Sequence, residues 1–501
     1  MQRRNFLQGL SALGVSATLK DTFAQQNQEA SEQIPLKSAE AWTLGFRTFE
    51  AERVPPVPLV VRGRLPAALQ GYFYRNGPAR YRRAGVHYKY WFDGDGMVHA
   101  YHFDGNGVTY QSAYVQTTKF VAEQAAGRFD RSGYGTLVPG SLPLRQADDI
   151  NVANTSVLQL GDELLALWEG GSAYRLDPQN LETLGRKLWR EDMAGMPFSA
   201  HPKVDPDGSL WNFGVDGARG LLVLYHIGER GELKRSGVIN VPRLPMVHDF
   251  AITERHLVFI LTPLRMDRKK LEAGLSIAAS YTWYPGEPTR VLLIDKNDWS
   301  RQRTIELDTS FGLHLGNAWE DSQGVVRMTY MRGDDDTLFQ RGFEVMTGHY
   351  EHARGASLCL ATLDPATGRG TQESMPEEAE FPCVDPRYVG RRYRQIVTLA
   401  RSSVRQGYGY DRVQRRDLER GTVDAYDYGQ DALVEEHILV PDPKRGREGA
   451  GWVVGTALDL KRQRTLMSVF NAQALHLGPI AQTELPHVVP LGLHGSFRPV
   501  G

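Results

Sequence analysis

Four histidines in this chain stand in rigid apolar or glycine- and proline-rich settings, where a ring nitrogen can be aimed at a metal. His201 lies in S-A-H-P-K, His248 in P-M-V-H-D-F, His314 in G-L-H-L-G and His494 in P-L-G-L-H-G-S-F. They are 47, 66 and 180 residues apart, so no single local element could bring them together. Four neutral imidazoles suit a borderline first-row metal such as iron, copper, nickel or zinc. A metal-bound histidine usually donates its second ring N–H to a carboxylate, which fixes tautomer and orientation. Glu169 in A-L-W-E-G-G, Glu380 in A-E-F-P-C and Glu436 in E-E-H-I-L-V-P are candidates for that role. Other readings stay open at this level. A glutamate before Gly-Gly also suits a solvated turn, Glu436 competes with Glu435, and any one histidine could be an ordinary hydrogen-bonded residue.

Groups so far apart need a fold whose strands converge. From about residue 45 onward, short runs rich in Val, Ile, Leu, Tyr, Phe and Trp alternate with Gly, Pro, Asp and Asn turns. Examples are G-L-L-V-L-Y-H-I-G, H-L-V-F-I-L-T-P and R-V-L-L-I-D-K-N-D. This punctuation predicts an all-β protein, either a β-propeller or a large sandwich array. In a propeller the inner strands of all blades meet at a central axis, and the four spacings could place one histidine on each of four blades. The D-P and D-G turns recur irregularly, so no blade signature repeats cleanly. One stretch, residues 265 to 280, reads as helical.

Composition narrows the function. With 41% hydrophobic and 23% charged residues, the 501-residue chain is ordinary for a soluble globular protein. A formal charge of −1 gives no reason to expect a nucleic-acid partner. No apolar run is long enough to cross a bilayer. With only Cys359 and Cys383 present, thiolate zinc and iron–sulfur sites are excluded. A disulfide between them and a pair of free thiols are both open, since sequence separation does not show proximity. Residues 271 to 285, L-E-A-G-L-S-I-A-A-S-Y-T-W-Y-P, are apolar enough to dock shallowly on a lipid surface or to pack on the body of the fold.

Further motifs run in order along the chain: G-Y-F-Y-R-N-G-P, W-F-D-G-D-G-M-V-H, N-V-A-N-T-S-V, L-L-A-L-W-E-G-G-S-A-Y-R-L-D-P, S-A-H-P-K-V-D-P, V-H-D-F-A-I-T-E, H-L-G-N-A-W-E-D, E-F-P-C-V-D-P-R-Y-V-G-R-R-Y-R and L-H-G-S-F. Together they resemble the carotenoid cleavage oxygenases, a family that includes the retinoid isomerase of the eye and bacterial stilbene-cleaving dioxygenases. The resemblance runs from Gly71 to Phe497. It implies a seven-bladed β-propeller with a loop and helical cap over the active-site face, forming one oxygenase domain over residues 41–501. It also implies one Fe(II) per chain, held by His201, His248, His314 and His494, with Glu169, Glu380 and Glu436 hydrogen-bonding three of them. Relatives often read E-P-x-F-V-P where this chain has E-H-I-L-V-P, so His437 is a candidate intruder beside Glu436. His99 and His102 match no ligand and read as strand residues.

The implied reaction is oxidative cleavage of one C=C bond of a carotenoid or apocarotenoid by O2, giving two carbonyl products. An apolar polyene must be held by shape. Phe92, Trp168, Phe250, Trp319 and Phe497 flank the motifs and are candidates for the tunnel wall, with blade core the alternative for each. The chain is expected to act as a monomer on this small-molecule substrate. Two other functions remain: a stilbene dioxygenase, and a propeller that binds without catalysis. Stilbene-cleaving relatives carry a lysine just before the acid that matches Glu169, where this chain has Trp168. Tyr134 is not in clear register with the tyrosine those relatives also use. A polyene is therefore the expected substrate.

The N-terminus, M-Q-R-R-N-F-L-Q-G-L-S-A-L-G-V, reads as a twin-arginine export signal over residues 1–24, with a cut after Ala24 and a polar linker over residues 25–40. A periplasmic protein is the expectation. Replacing both arginines, Arg3→Lys with Arg4→Lys, should hold the precursor in the cytoplasm on cell fractionation. Undiminished periplasmic delivery of that double variant would refute the export reading.

Overall fold

The computed structural model describes residues 40–500. The expected signal segment and all of the linker before residue 40 lie outside the described residues.

The fold is mostly β, as the strand punctuation predicts. Among the described residues the main strands form seven antiparallel groups of four or five. The first is built from both ends of the chain. Its strands run in the order Arg53–Leu59, Val108–Tyr114, Asp95–Phe103, Gly71–Arg80 and Gly495–Pro499. The second, third and fourth groups cover residues 156–186, 203–240 and 250–307. The fifth and sixth share one 16-residue strand, Arg369–Val384. Its first half pairs with Ser357–Asp364 and its second half with Gln395–Ala400. The seventh group runs from Ala432–Pro441 to Ala481–Glu484 and takes Val61–Gly63 as its outer edge.

Strand periodicity explains how these groups pack. Successive side chains point to opposite faces. In His256–Leu261, Leu257, Phe259 and Leu261 enter a core shared with the third group, through Phe213, Leu222 and Leu224. Val258 and Ile260 point the other way, into a core with Leu315 and Met328 of the fifth group. Both faces are buried, so the strand reads as an unbroken apolar run rather than an alternating one. Similar cores join the other neighbours, and the last group is joined to the first. There Phe73 and Tyr101 pack with Val454, Met467 and Val469.

Connections on one side form a cover. They include the helices Thr118–Ala126 and Thr337–Glu344 and a two-stranded ribbon, Leu264–Met266 with Tyr281–Trp283. The helix expected over residues 265–280 is thus broken into two short pieces in the connection between the ribbon strands, an α-helical turn at Arg268–Glu272 and a 3-10 turn at Ala278–Ser280. Gly274, at a φ of +88°, follows directly and turns the chain out of the helix. Within 271–285, Ser276, Ala278 and Ser280 are buried while Leu275 stays 40% exposed, so the segment turns much of its surface inward. No helix among the described residues is long and apolar enough to cross a membrane. Cys359 and Cys383 are free thiols. Burial pushes the Cys383 thiol up to about 12, which keeps it protonated and unreactive.

Phe259 is fully buried and packs edge-on against Phe213 at a centroid distance of 5.3 Å. Phe259→Ala should destabilise the protein by about 3–5 kcal/mol, read as a lowered midpoint in guanidinium unfolding. An unshifted midpoint would mean this inter-sheet core is not a stability determinant.

Candidate metal centre

The four histidines enter one small volume from four different sheets. His201 lies two residues before the first strand of the third group, Lys203–Val204. His248 precedes Phe250–Ile252 of the fourth, and His314 lies within Phe311–Glu320 of the fifth. His494 precedes the closing strand Gly495–Pro499. One ligand nitrogen from each ring lies within 4.8 Å of the other three. The Nε2 atoms of His201 and His248 are 2.8 Å apart, and those of His248 and His314 are 3.3 Å apart. Pro202 restricts His201 to extended backbone, and the Ser199 and Ala200 carbonyls just before it are fixed by Asn212 and Ser156.

Three of the rings are braced by carboxylates. His248 Nδ1 is 2.8 Å from Glu169, His314 Nδ1 is 2.6 Å from Glu380, and His494 Nδ1 is 2.9 Å from Glu436. The solvated-turn alternative for Glu169 therefore does not describe this site. A Cβ on Gly170 would come within 2.6 Å of the Trp168 ring, so the glycine after Glu169 lets the chain fold back over the indole. Glu435 does not replace Glu436: it accepts from the Gly492 N–H at 2.5 Å and pairs with Arg75 at 3.3 Å. His437 turns away from the centre, with its ring nitrogens meeting Tyr428 Oη at 2.9 Å and the Glu435 carbonyl at 2.7 Å. His99 and His102 sit in the strand Asp95–Phe103, against Tyr110 and Tyr72.

Bulges aim these side chains. The ladder gains an extra residue between Gly312 and Leu315, between Glu380 and Cys383, and between Val434 and His437. Each bulge holds a site residue: His314, Glu380 or Glu436. The third lets the consecutive residues Glu435 and Glu436 both meet Arg75, which alternation would forbid. At the second, Phe381 takes a left-handed φ of +56°, and its N–H donates to Glu380 at 2.6 Å.

Two positioning residues carry more than the sequence reading gave them. Buried Asp249 accepts from the Leu315 N–H at 2.8 Å and from Lys203 at 2.8 Å. It thereby ties together the strands that carry His201, His248 and His314. Arg75 is 2% exposed and bridges Glu435 to Glu436, whose carboxylate lies 3.4 Å away. Their signal was a charge inside an apolar strand motif, V-H-D-F and G-Y-F-Y-R-N-G-P.

The donor set fits a metal ion. His248, His314 and His494 each give Nδ1–H to a carboxylate, so each turns an Nε2 lone pair toward the centre. Only His201 could offer an N–H there, because its Nδ1 lies 3.9 Å from Asp249. Three buried acceptors with at most one donor cannot satisfy one another, and a cation resolves the mismatch. Burial, and then the neighbouring imidazoles, holds His201 well below the usual histidine range. Burial likewise lowers His494, although Glu436 opposes it. At His314 burial also pulls down, but the Glu380 carboxylate outweighs it and raises the proton affinity. Burial opposes ionisation of Glu436, yet His494 and Arg75 hold its carboxyl below the usual range.

A cavity of about 370 Å³ opens beside the histidines, with His248, His314 and His494 in its wall. Most of the remaining wall is aromatic and aliphatic, and much of it comes from the cover. The family model described as retinal pigment epithelial membrane protein matches residues 46–499. The chain belongs to the carotenoid cleavage oxygenase family. It is 30% identical to the apocarotenoid-15,15'-oxygenase of Synechocystis sp., over 87% of this chain and 92% of that protein. It is 28% identical to carotenoid 9,10(9',10')-cleavage dioxygenase 1 of Arabidopsis thaliana, over 90% and 88% of the two chains. The crystal structure of cobalt-substituted Synechocystis ACO superposes with a TM-score of 0.85 at 28% identity, covering 92% of this chain and 98% of that one.

Among the five aromatic residues expected to wall the family's tunnel, Phe92 and Trp168 line the cavity. The other three need correction. Phe250 is fully buried in the core between the third and fourth groups. Trp319 packs beside the Met331 and Ile396 core under Arg327 and Arg392. Phe497 packs on Phe103 in the closing strand. Each lies on a strand, where register rather than proximity to a ligand decides the facing. The wall instead recruits Tyr90, Tyr134, Tyr281 and Phe339 from the connections, and of these only Tyr134 drew notice in the sequence.

Each of Glu169→Gln, Glu380→Gln and Glu436→Gln should cost about 10–100-fold in metal affinity or activity, measured by metal analysis after graded chelation. Retention of metal by all three to the same chelator concentration as the parent would overturn the bracing role.

Proposed function

We propose that this chain is a non-haem Fe(II) dioxygenase that cleaves one C=C bond of a carotenoid or apocarotenoid with O2, giving two carbonyl products. The observation that carries the reading is the convergence of four imidazoles, three of them carboxylate-braced, in the wall of a largely apolar cavity. His201, His248, His314 and His494 would hold the iron. Four neutral imidazoles would hold the ion without adding charge to it. Bound there, iron supplies the redox chemistry with O2 that no side chain can supply.

The protein's own part is positioning. Glu169, Glu380 and Glu436 keep three imidazoles in one tautomer, and Asp249 and Arg75 keep the strands in register. The aromatic wall holds a flat polyene by shape and excludes water. Trp168 favours a polyene over a hydroxystilbene, because an indole offers only an N–H where an ammonium would steady a phenolate. The retained ligands and braces speak against a binding protein without catalysis.

For the architecture we infer a seven-bladed β-propeller: seven antiparallel groups, each packed on the next and the last on the first, with the connections as cap. Purified protein should hold about one iron per chain and turn over carotenoids or apocarotenals, with little or no cleavage of 4-hydroxystilbenes. Product analysis across such a panel decides it. Efficient stilbene cleavage with no polyene turned over would overturn the assignment, and so would full activity in metal-free protein.

A further inference from the structure

The cavity is not uniformly apolar. One part of its wall is formed by Arg341, Tyr350, Glu378, Arg401, Tyr408 and Tyr410. Glu378 is two residues before Glu380 on the same strand, so this polar patch adjoins the histidine centre. Arg401 is spent on the protein, since its guanidinium donates to the carbonyls of Arg405, Gly407 and Gly409. Arg341 is not. On the cap helix Thr337–Glu344, it donates through Nη2 to the Ala353 carbonyl at 2.7 Å. Its Nη1 lies 4.0 Å from Glu378, beyond hydrogen-bond reach, and its buried Nε–H has no partner.

The side chain of Arg341 is 11% exposed, and its guanidinium lies over the Tyr350 ring, 5.4 Å from the centroid. Nη1 makes no hydrogen bond and, unlike Nε, is not fully enclosed, so it is the donor that an acceptor oxygen in the cavity can meet. The patch holds two guanidinium charges against the one carboxylate of Glu378, which His352 also approaches at 3.5 Å. That balance suits an oxygen acceptor.

We propose that Arg341 anchors an acceptor oxygen at one end of the polyene, so that the cavity selects oxygen-terminated polyenes over hydrocarbons. The proposal rests on the cleavage reading above and deepens it. A fixed end would set which double bond comes to rest beside the four histidines. An aldehyde and a carboxylate share the acceptor chemistry, and their relative affinity tells them apart.

The test is equilibrium binding to metal-loaded protein, followed by quenching of tryptophan fluorescence, since Trp91 and Trp168 line the cavity. A polyenal, a polyenoic acid and a hydrocarbon of equal length are compared. The parent should bind the better of the two oxygen-terminated ligands about tenfold or more tighter than the hydrocarbon, the scale of a charge-assisted hydrogen bond. Arg341→Met should bring that ratio close to one, and Arg341→Lys should retain part of it. Equal affinities in the parent would overturn the proposal. So would weakening of all three ligands alike in Arg341→Met, which is what a purely structural arginine would give. Cleavage is scored separately on the same samples: no products with the ratio intact would sink the dioxygenase reading and leave the anchor standing.

Discussion

Everything at the centre of this protein depends on three hydrogen bonds between imidazoles and carboxylates, and two of those carboxylates, Glu380 and Glu436, are buried. A carboxylate out of water is costly unless charge and hydrogen bonds compensate it. Glu436 shows how that is arranged: His494, the Gly495 N–H at 2.7 Å and Arg75 at 3.4 Å surround one side chain. The same three bonds fix the tautomers, and the tautomers turn lone pairs toward one point. A cation at that point balances carboxylates and lone pairs together. The site is thus a charge assembly whose last member is a metal, and the raised proton affinity of His314 reports the same demand.

Such an assembly needs parts that do not move. His248 and His314 come from the end and the bulge of strands buried on both faces, so their backbones are held by packing as well as by ladders, while His201 and His494 enter from the ends of more exposed strands. Closure contributes as much. His494 reaches the other three only because Gly495–Pro499 pairs with Gly71–Arg80 and the chain's two ends share a sheet. Asp249 and Arg75 bind sheet to sheet at the level of the histidines. A small shift between neighbouring sheets would break a hydrogen bond as well as a packing contact.

This division explains what could be read in the sequence. Six of the seven residues of the centre, all but Glu436, were legible because each lies in a short rigid motif, S-A-H-P-K or L-H-G-S-F among them, and the motifs run in a recognisable order. The strands were legible from their punctuation. Facing was not. Phe250, Trp319 and Phe497 stand close to ligands in sequence, but alternation sends them into inter-sheet cores. The bulges were equally hidden, because one extra residue in a ladder leaves no compositional mark. The choice between Glu435 and Glu436 turns on such a bulge and needed the structure. The helical reading of 265–280 held only in part: Arg268–Glu272 and Ala278–Ser280 are helical, while Gly274 breaks the pattern between them and the ribbon strands Leu264–Met266 and Tyr281–Trp283 bracket it.

The cavity wall follows the opposite logic to the metal centre. Tyr90, Tyr134, Tyr281, Phe339 and Arg341 come from separate connections and share no motif. Loops and short helices laid over a rigid scaffold tolerate change that the scaffold does not. A substitution in the cover alters the shape or polarity offered to a substrate, while one in a braced histidine removes the chemistry. The centre therefore carries the metal-ligating groups, and the cover shapes what can reach them. Trp168 stands at the boundary: its ring faces the cavity, while its backbone neighbour Glu169 braces His248. One strand end thus serves both the histidine centre and the cavity wall, and a change at Trp168 must keep Glu169 in place to alter specificity alone.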